Sequence, residues 1–173
     1  ITVFFIDSLN NIRDKKNEKK RLIRDFSSEV NSIALRAIFE LKSHKSRIGN
    51  WLSDNSLDNG FYVGANLQDA QLHFATLRNS NFTSSIFIQA FLVQSDLSNS
   101  VFDFADFSGA NLQDAKCISC NFEGTSFHNT NLCGTNFLGS KFINVTFTDV
   151  KYDTKTIWPV GYIFEPKNGI MEK

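Results

Sequence analysis

Cys117 and Cys120 stand at the two-residue spacing that suits a pair of thiolates for zinc or for disulfide exchange, so they are the first residues to test for chemistry. A structural zinc site needs a second pair of ligands, and the remaining thiol, Cys133, does not supply one. The three histidines, His44, His73 and His128, are scattered along the chain, and no nucleophile, base and orienting carboxylate converge by spacing. No glycine-rich phosphate loop occurs. Catalytic, cofactor-binding and metal-binding residues are therefore expected to be none, and the chain is not expected to be an enzyme. Three cysteines without a secretory leader point to free thiols in a reducing compartment.

What remains is a pattern that must be placed on an element. Every fifth residue from Leu57 to Tyr152 is bulky: of these twenty positions seventeen are Leu or Phe, the others being Tyr62, Cys117 and Tyr152. Two residues before each centre sits a small residue, from Ala65 to Ser140, loosening at Val145 and Val150. Five residues fit neither regular period, because a helix would carry the stripe around by about 140° per repeat and a straight strand would flip alternate centres outward. The set can be hidden only if the chain turns a corner every five residues, with centre and small residue facing inward. Cys117 is then a centre and Cys120 a small inward residue, so both belong to the core, whereas Cys133 faces outward and is expected to react with a labelling reagent. The other places carry turn-prone residues such as Ser98-Asn99, Ser108-Gly109 and Gly134.

On these residues a resemblance is definite. Ala65-Asn66-Leu67-Gln68-Asp69, Ala105-Asp106-Phe107-Ser108-Gly109 and Ala110-Asn111-Leu112-Gln113-Asp114 resemble the alanine, aspartate-or-asparagine, leucine signature of the pentapeptide-repeat family. The resemblance implies a β fold, a right-handed quadrilateral β-helix with four pentapeptides per coil, and hence about five coils. At about 4.8 Å per coil the rod would be roughly 25 Å long.

Such a solenoid exposes apolar ends that need covers. The domain reading is accordingly a basic segment over 1–26, an amphipathic α-helical cap and linker over 27–50, the β-helix over 51–152 and a C-terminal cap and tail over 153–173. Val30, Ile33, Ala34, Ala37, Ile38 and Leu41 recur at helical spacing after Ser27-Ser28-Glu29, and Trp51 and Leu52 lead into the first coil. The small-residue rule lapses at Lys155, where Tyr152 to Tyr162 resembles the closing segment of many bacterial pentapeptide-repeat proteins, with Trp158 expected to cover the last coil.

Charge is balanced overall but divided: residues 1–56 carry net +4 and residues 57–152 net −4. Ile1 to Ile6 is uncharged and runs into Arg13, Lys15, Lys16, Lys19, Lys20, Arg21 and Arg24, the pattern of a cytoplasmic exit from a membrane helix. Six residues cannot span about 30 Å of hydrocarbon, so this reading expects a membrane segment upstream. Residues 1–57, including Asn31-Ser32-Ile33-Ala34-Leu35-Arg36-Ala37, also resemble the segment joining paired membrane helices to the repeats in a group of bacterial pentapeptide-repeat membrane proteins, with Lys45 to Asn50 departing from it as an inserted stretch. Contact with anionic lipid and a place on the cytoplasmic side of the inner membrane would follow. The alternative is a solvated charged helix over 8–26 in a cytoplasmic protein.

Outward positions that are apolar concentrate in the first half: Phe61, Val63, Phe74, Ile86, Ile88, Phe91, Val93, Val101 and Phe104. They are expected on adjoining faces as a contact patch, either for a protein partner or a second copy, or beneath the N-terminal segment. The repeats are acidic, so direct nucleic-acid binding is not expected. Three functions stay open: a membrane-tethered, non-catalytic interaction scaffold; a DNA-mimicking inhibitor of gyrase, which would use Asp96, Asp103 and Asp106; and a structural or regulatory spacer.

Overall fold

The computed structural model describes residues 56–162, the backbone of Ile170–Met171 and the single position Asn17. The N-terminal helix and cap expected over 27–50, the basic run and Trp51-Leu52 lie outside the described residues.

Why five residues make one side is visible around Phe82. Its N–H donates to the Val101 carbonyl (2.8 Å) and the Ser84 N–H to Asp103 (2.8 Å), while the Val101 N–H returns to Ser80 (2.9 Å). The chain then turns, Ser85 N–H closing on the Phe82 carbonyl at 3.0 Å. Positive φ at the third residue of that turn, Ser84 at 57°, is the signature of a type II turn. The same residue of each pentapeptide, from Asn59 to Asp149, has positive φ. Fourteen of these corners are not glycine, and Asn, Asp, Ser and Gln hold twelve of them.

Repeated turns stack the chain on itself in parallel. Ser56 pairs with Thr76, Phe61 with Asn81, Asn66 with Ile86 and Gln71 with Phe91, and the twenty-residue register persists to Asn131 with Lys151. Each coil thus has four sides, named here from their first members: side 1 from Ser56, side 2 from Phe61, side 3 from Asn66 and side 4 from Gln71. Coils begin at residues 56, 76, 96, 116 and 136. This is the solenoid expected from the five-residue period, and every centre from Leu57 to Phe137 is 1 % exposed or less.

Inside, the columns are segregated. Phe82 and Phe102 on side 2 stack at 5.4 Å with planes 2° apart, and Phe87 and Phe107 on side 3 at 4.6 Å and 6°. Sides 1 and 4 carry seven of the eight leucine centres, Leu67 heading side 3, and side 1 changes to Cys117 and Phe137 in its last two coils. Burying each such ring contributes about 1.5–3 kcal/mol. The small inward positions also join coils: Ser100 Oγ donates to the Leu77 carbonyl (2.6 Å), Thr125 Oγ1 to Phe102 (2.8 Å) and Thr130 Oγ1 to Phe107 (2.9 Å). A hydroxyl buried beside apolar rings is tolerable only with such a partner.

At the C-terminal end the register slips by one residue, Asn136 pairing with Ile157. Thr156 takes over the small inward role, its hydroxyl donating to Leu132 at 2.9 Å, and Trp158 continues the side 1 column by stacking on Phe137 at 5.6 Å and 11°. Two short strands, β1 (Lys151–Tyr152) and β2 (Ile170–Met171), pair in parallel and extend side 4.

Candidate interaction surface

Each side has three outward positions, and two of them have a local reason for their usual residue. The first residue of a side points out from the bridge, and when it is Asn or Asp its side-chain oxygen accepts the N–H two residues on: Asn66 from Gln68 (3.1 Å), Asp106 from Ser108 (2.8 Å), Asn136 from Leu138 (2.9 Å). That caps a corner N–H which the ladder does not use. Phe61, Ile86, Phe91 and Val101 occupy this position with side chains that have no acceptor to offer. The second kind is the left-handed corner, where Phe74 (φ 58°) and Phe104 (φ 59°) stand among small or amide residues. A bulky residue there is disfavoured by about 1–2 kcal/mol, and Phe lacks the short polar group that relieves Asn or Asp.

Six of the nine apolar residues therefore go against local preference, Val63, Ile88 and Val93 standing at the remaining outward position between centre and corner, and the structure distributes all nine as a belt. Ile86, Ile88, Phe91 and Val93 run around sides 3 and 4 of the second coil; Phe61, Val63 and Phe74 flank it in the first coil, Val101 and Phe104 in the third. They fall on three sides and their corners, and within each column polar residues intervene, Asn81 between Phe61 and Val101 and Gln71 and Asn111 on either side of Phe91. Phe61, Phe74, Phe91 and Phe104 are 43 %, 53 %, 45 % and 61 % exposed; the other five are half-buried. Between Phe61 and Val101 lies an open groove of about 360 Å³ whose rim is a corner ladder of amides, Asn59, Asn79 and Asn99.

Among the described residues the acids form no continuous ladder, although Glu123 follows Asp103 at one corner and donates its backbone N–H to that carboxylate at 3.1 Å. Asp96 lies on side 1 in register with Lys116, Asp103 at the corner after side 2, and Asp106 on side 3. Asp58 receives three hydrogen bonds from Arg78, from the backbone N–H and Nη2 at 2.7 Å and from Nε at 3.1 Å. Burial alone would raise the Asp58 carboxyl, but these bonds hold it below its usual range.

The thiols divide as follows. Cys117 and Cys120 are fully buried, and burial pushes Cys117 well up and Cys120 up to about 12. Cys133 departs from expectation: its repeat position is outward, yet it is only 9 % exposed. The turn at Asp153 folds against this corner, taking the Gly134 N–H at 2.8 Å, and that removes the ready access to reagent expected from the repeat phase. His73 packs edge-on to Phe74 (5.7 Å) in the first coil, and His128 is exposed at a different corner in the fourth. Among the described residues no three of His, Cys, Asp or Glu come together as a metal site requires. The basic residues Arg13 to Arg24 lie outside the described residues, and no described helix is long and apolar enough to cross a membrane.

Comparison with known proteins follows the same segment. Residues 52–83, 77–114 and 110–149 match a family described as pentapeptide repeats, in 8 copies. No curated protein matches the chain. Among solved structures, a pentapeptide repeat protein (Rfr23) from the cyanobacterium Cyanothece 51142 is 24 % identical with TM-score 0.49, over 62 % of this chain and 83 % of that one. A pentapeptide repeat protein from the Arabidopsis thaliana thylakoid lumen is 24 % identical with TM-score 0.43, over 53 % and 67 %. A trypsin-treated variant of QnrB1, a plasmid-mediated fluoroquinolone resistance protein, is 16 % identical with TM-score 0.36, over 61 % and 68 %.

Proposed function

Because this chain belongs to the pentapeptide-repeat family and so to the right-handed β-helices, we propose that it is a non-catalytic scaffold whose belt around the second coil binds a protein partner. The observation that carries the reading is the set of four exposed phenylalanines in the first three coils, two of them in left-handed corners where the backbone disfavours them. Residues that oppose both solvation and local conformation are retained where a contact uses them. In its finer form the proposal holds the rod at the cytoplasmic face of a bacterial membrane by a segment upstream of Ile1, on the strength of the uncharged start and the basic run from Arg13 to Arg24.

Imitation of DNA is the weaker reading, since it needs acidic side chains in register and Asp96, Asp103 and Asp106 occupy different sides. A photo-crosslinking residue placed at 91 or 104 of the full-length chain in its own cell tests the scaffold. A single defined adduct from both positions, absent from position 138 on the fifth coil, is the expected result; no adduct from either, with a monomer in sedimentation, defeats the belt. The tether is tested separately by fractionation, where recovery of the full-length chain wholly in the soluble fraction defeats it.

A further inference from the structure

The belt has a border of one sign. On sides 2–4 the second coil, residues 81–95, contains no Asp, Glu, Lys or Arg. The same sides of the first and third coils, residues 61–75 and 101–115, contain Asp69, Asp103, Asp106 and Asp114 and neither Lys nor Arg. Asp69 borders the uncharged band in the first coil, its N–H donating to the Ile88 carbonyl at 2.9 Å, and Asp106 borders it in the third, paired with Ile86. Arg78, the base of these three coils, stands on side 1 and is held by Asp58, with Nη2 at 2.7 Å. The backbone of the band is committed on both flanks. Ile86 and Phe91 donate their N–H groups to Ala65 and Ala70 at 2.8 Å, and Phe87 and Leu92 donate theirs to Asp106 and Asn111 at 2.7 Å. A partner cannot add a strand here and must be recognised through side chains.

We propose that the occupant of the belt is a segment of another protein in which apolar side chains are flanked by Lys or Arg. This rests on the scaffold reading and names the chemistry of its partner. The apolar band by itself would accept any apolar surface, and the acids around it make the choice. They repel an acidic segment, an anionic lipid surface and the belt of a second copy, which would set Asp against Asp. The arrangement also differs from imitation of DNA. Asp103 lies on side 2, Asp69 and Asp106 on side 3 and Asp114 on side 4, so the charges surround an apolar centre and do not follow one edge of the rod.

Crosslinking from position 91 of the full-length chain in its own cell tests the border. In the Asp69→Asn/Asp106→Asn/Asp114→Asn variant the adduct should fall by at least about threefold. Asn suits the left-handed backbone at 69 and 114, and at 106 it can still accept the Ser108 N–H, so the fold is kept. Asp149→Asn, at a left-handed corner of the fifth coil, should leave the adduct unchanged. Should the triple variant unfold, Asp69→Asn alone is read in the same way. The partner peptide joined at position 91, sequenced by mass spectrometry, should carry Lys or Arg beside its apolar residues. An adduct undiminished by the substitutions, or one to an acidic segment, overturns this proposal and leaves the scaffold standing. An adduct to a second copy or within the chain also overturns it, and no adduct from the parent chain defeats both readings.

Discussion

The ring of Phe104 lies over Gly124, one coil further along the same corner: a Cβ built on Gly124 would stand 2.7 Å from the ring. An exposed aromatic is thus laid across a glycine while its own backbone sits at φ 59°. Replacing Phe104 by Asn relieves that conformation, and chemical denaturation should show a gain of about 0.5–1 kcal/mol. The same change should weaken crosslinking from position 91. A loss of stability above about 1 kcal/mol would mean that the ring's packing outweighs the conformational cost.

Phe107 sits between Phe87 at 4.6 Å and Phe127 at 5.3 Å in the middle of the side 3 column. Its truncation to Ala opens a hole that neighbouring coils can close only by leaving register. A cost of about 3–5 kcal/mol is expected in chemical denaturation, and a value under about 1 kcal/mol would place the ring outside the core.

Thr130 tests the hydroxyl ladder apart from the rings. Its Oγ1 donates to the Phe107 carbonyl at 2.9 Å, and that carbonyl also accepts the Ala110 N–H at 2.9 Å. Thr130→Val keeps the volume and removes one of the two donors, so the carbonyl is not orphaned. A loss of about 0.5–1.5 kcal/mol is expected, smaller than for Phe107→Ala, and equal stability of the two proteins would show that the hydroxyl contributes nothing.

Burial raises the Cys117 and Cys120 thiols in the folded chain, so both stay protonated where an unfolded thiol ionises. Stability is full below the unfolded thiol value near 8.5 and falls above it, by up to about 1.4 kcal/mol per pH unit for each thiol. The fall continues until the folded value is reached, about 12 for Cys120. Denaturation midpoints from pH 8 to 10 measure the slope, and the Cys117→Ala/Cys120→Ala variant should flatten it. Neither thiol should react with a labelling reagent before the chain unfolds, and Cys133, 9 % exposed, should react slowly.

Much of this fold was readable because one period controls burial. The centres and the small residues two before them were assigned from phase alone, and the centres from Leu57 to Phe137 are inside. Reading every twentieth residue would have separated the phenylalanine columns of sides 2 and 3 from the leucine columns beside them. The surface was less legible, because neighbourhood on a rod depends on the number of residues per coil as well as on inward or outward phase. Nine apolar residues that a linear reading groups onto adjoining faces become a belt once Ile86 and Phe91 are placed on successive sides. Packing at the end was legible only in outline: Trp158 was expected over the last coil, but the one-residue slip that puts Thr156 inside depends on how the side chains at the terminus fit. Cys133 was misjudged for the same reason, since the cover comes from the Asp153 turn and not from its own repeat.

The five-residue side means that this molecule can grow or shrink by pentapeptides while every centre stays inside, although the ring stacks at the junction would have to repack. Position on the circumference has no such tolerance. Duplicating a single pentapeptide between Val93 and Val101 would leave every downstream centre inside but rotate Val101, Phe104 and all that follows by a quarter turn relative to Phe61 and Phe91. Descendants of one ancestor could thus share a core and differ in which side chains meet a neighbour, through length changes that divide by five but not by twenty.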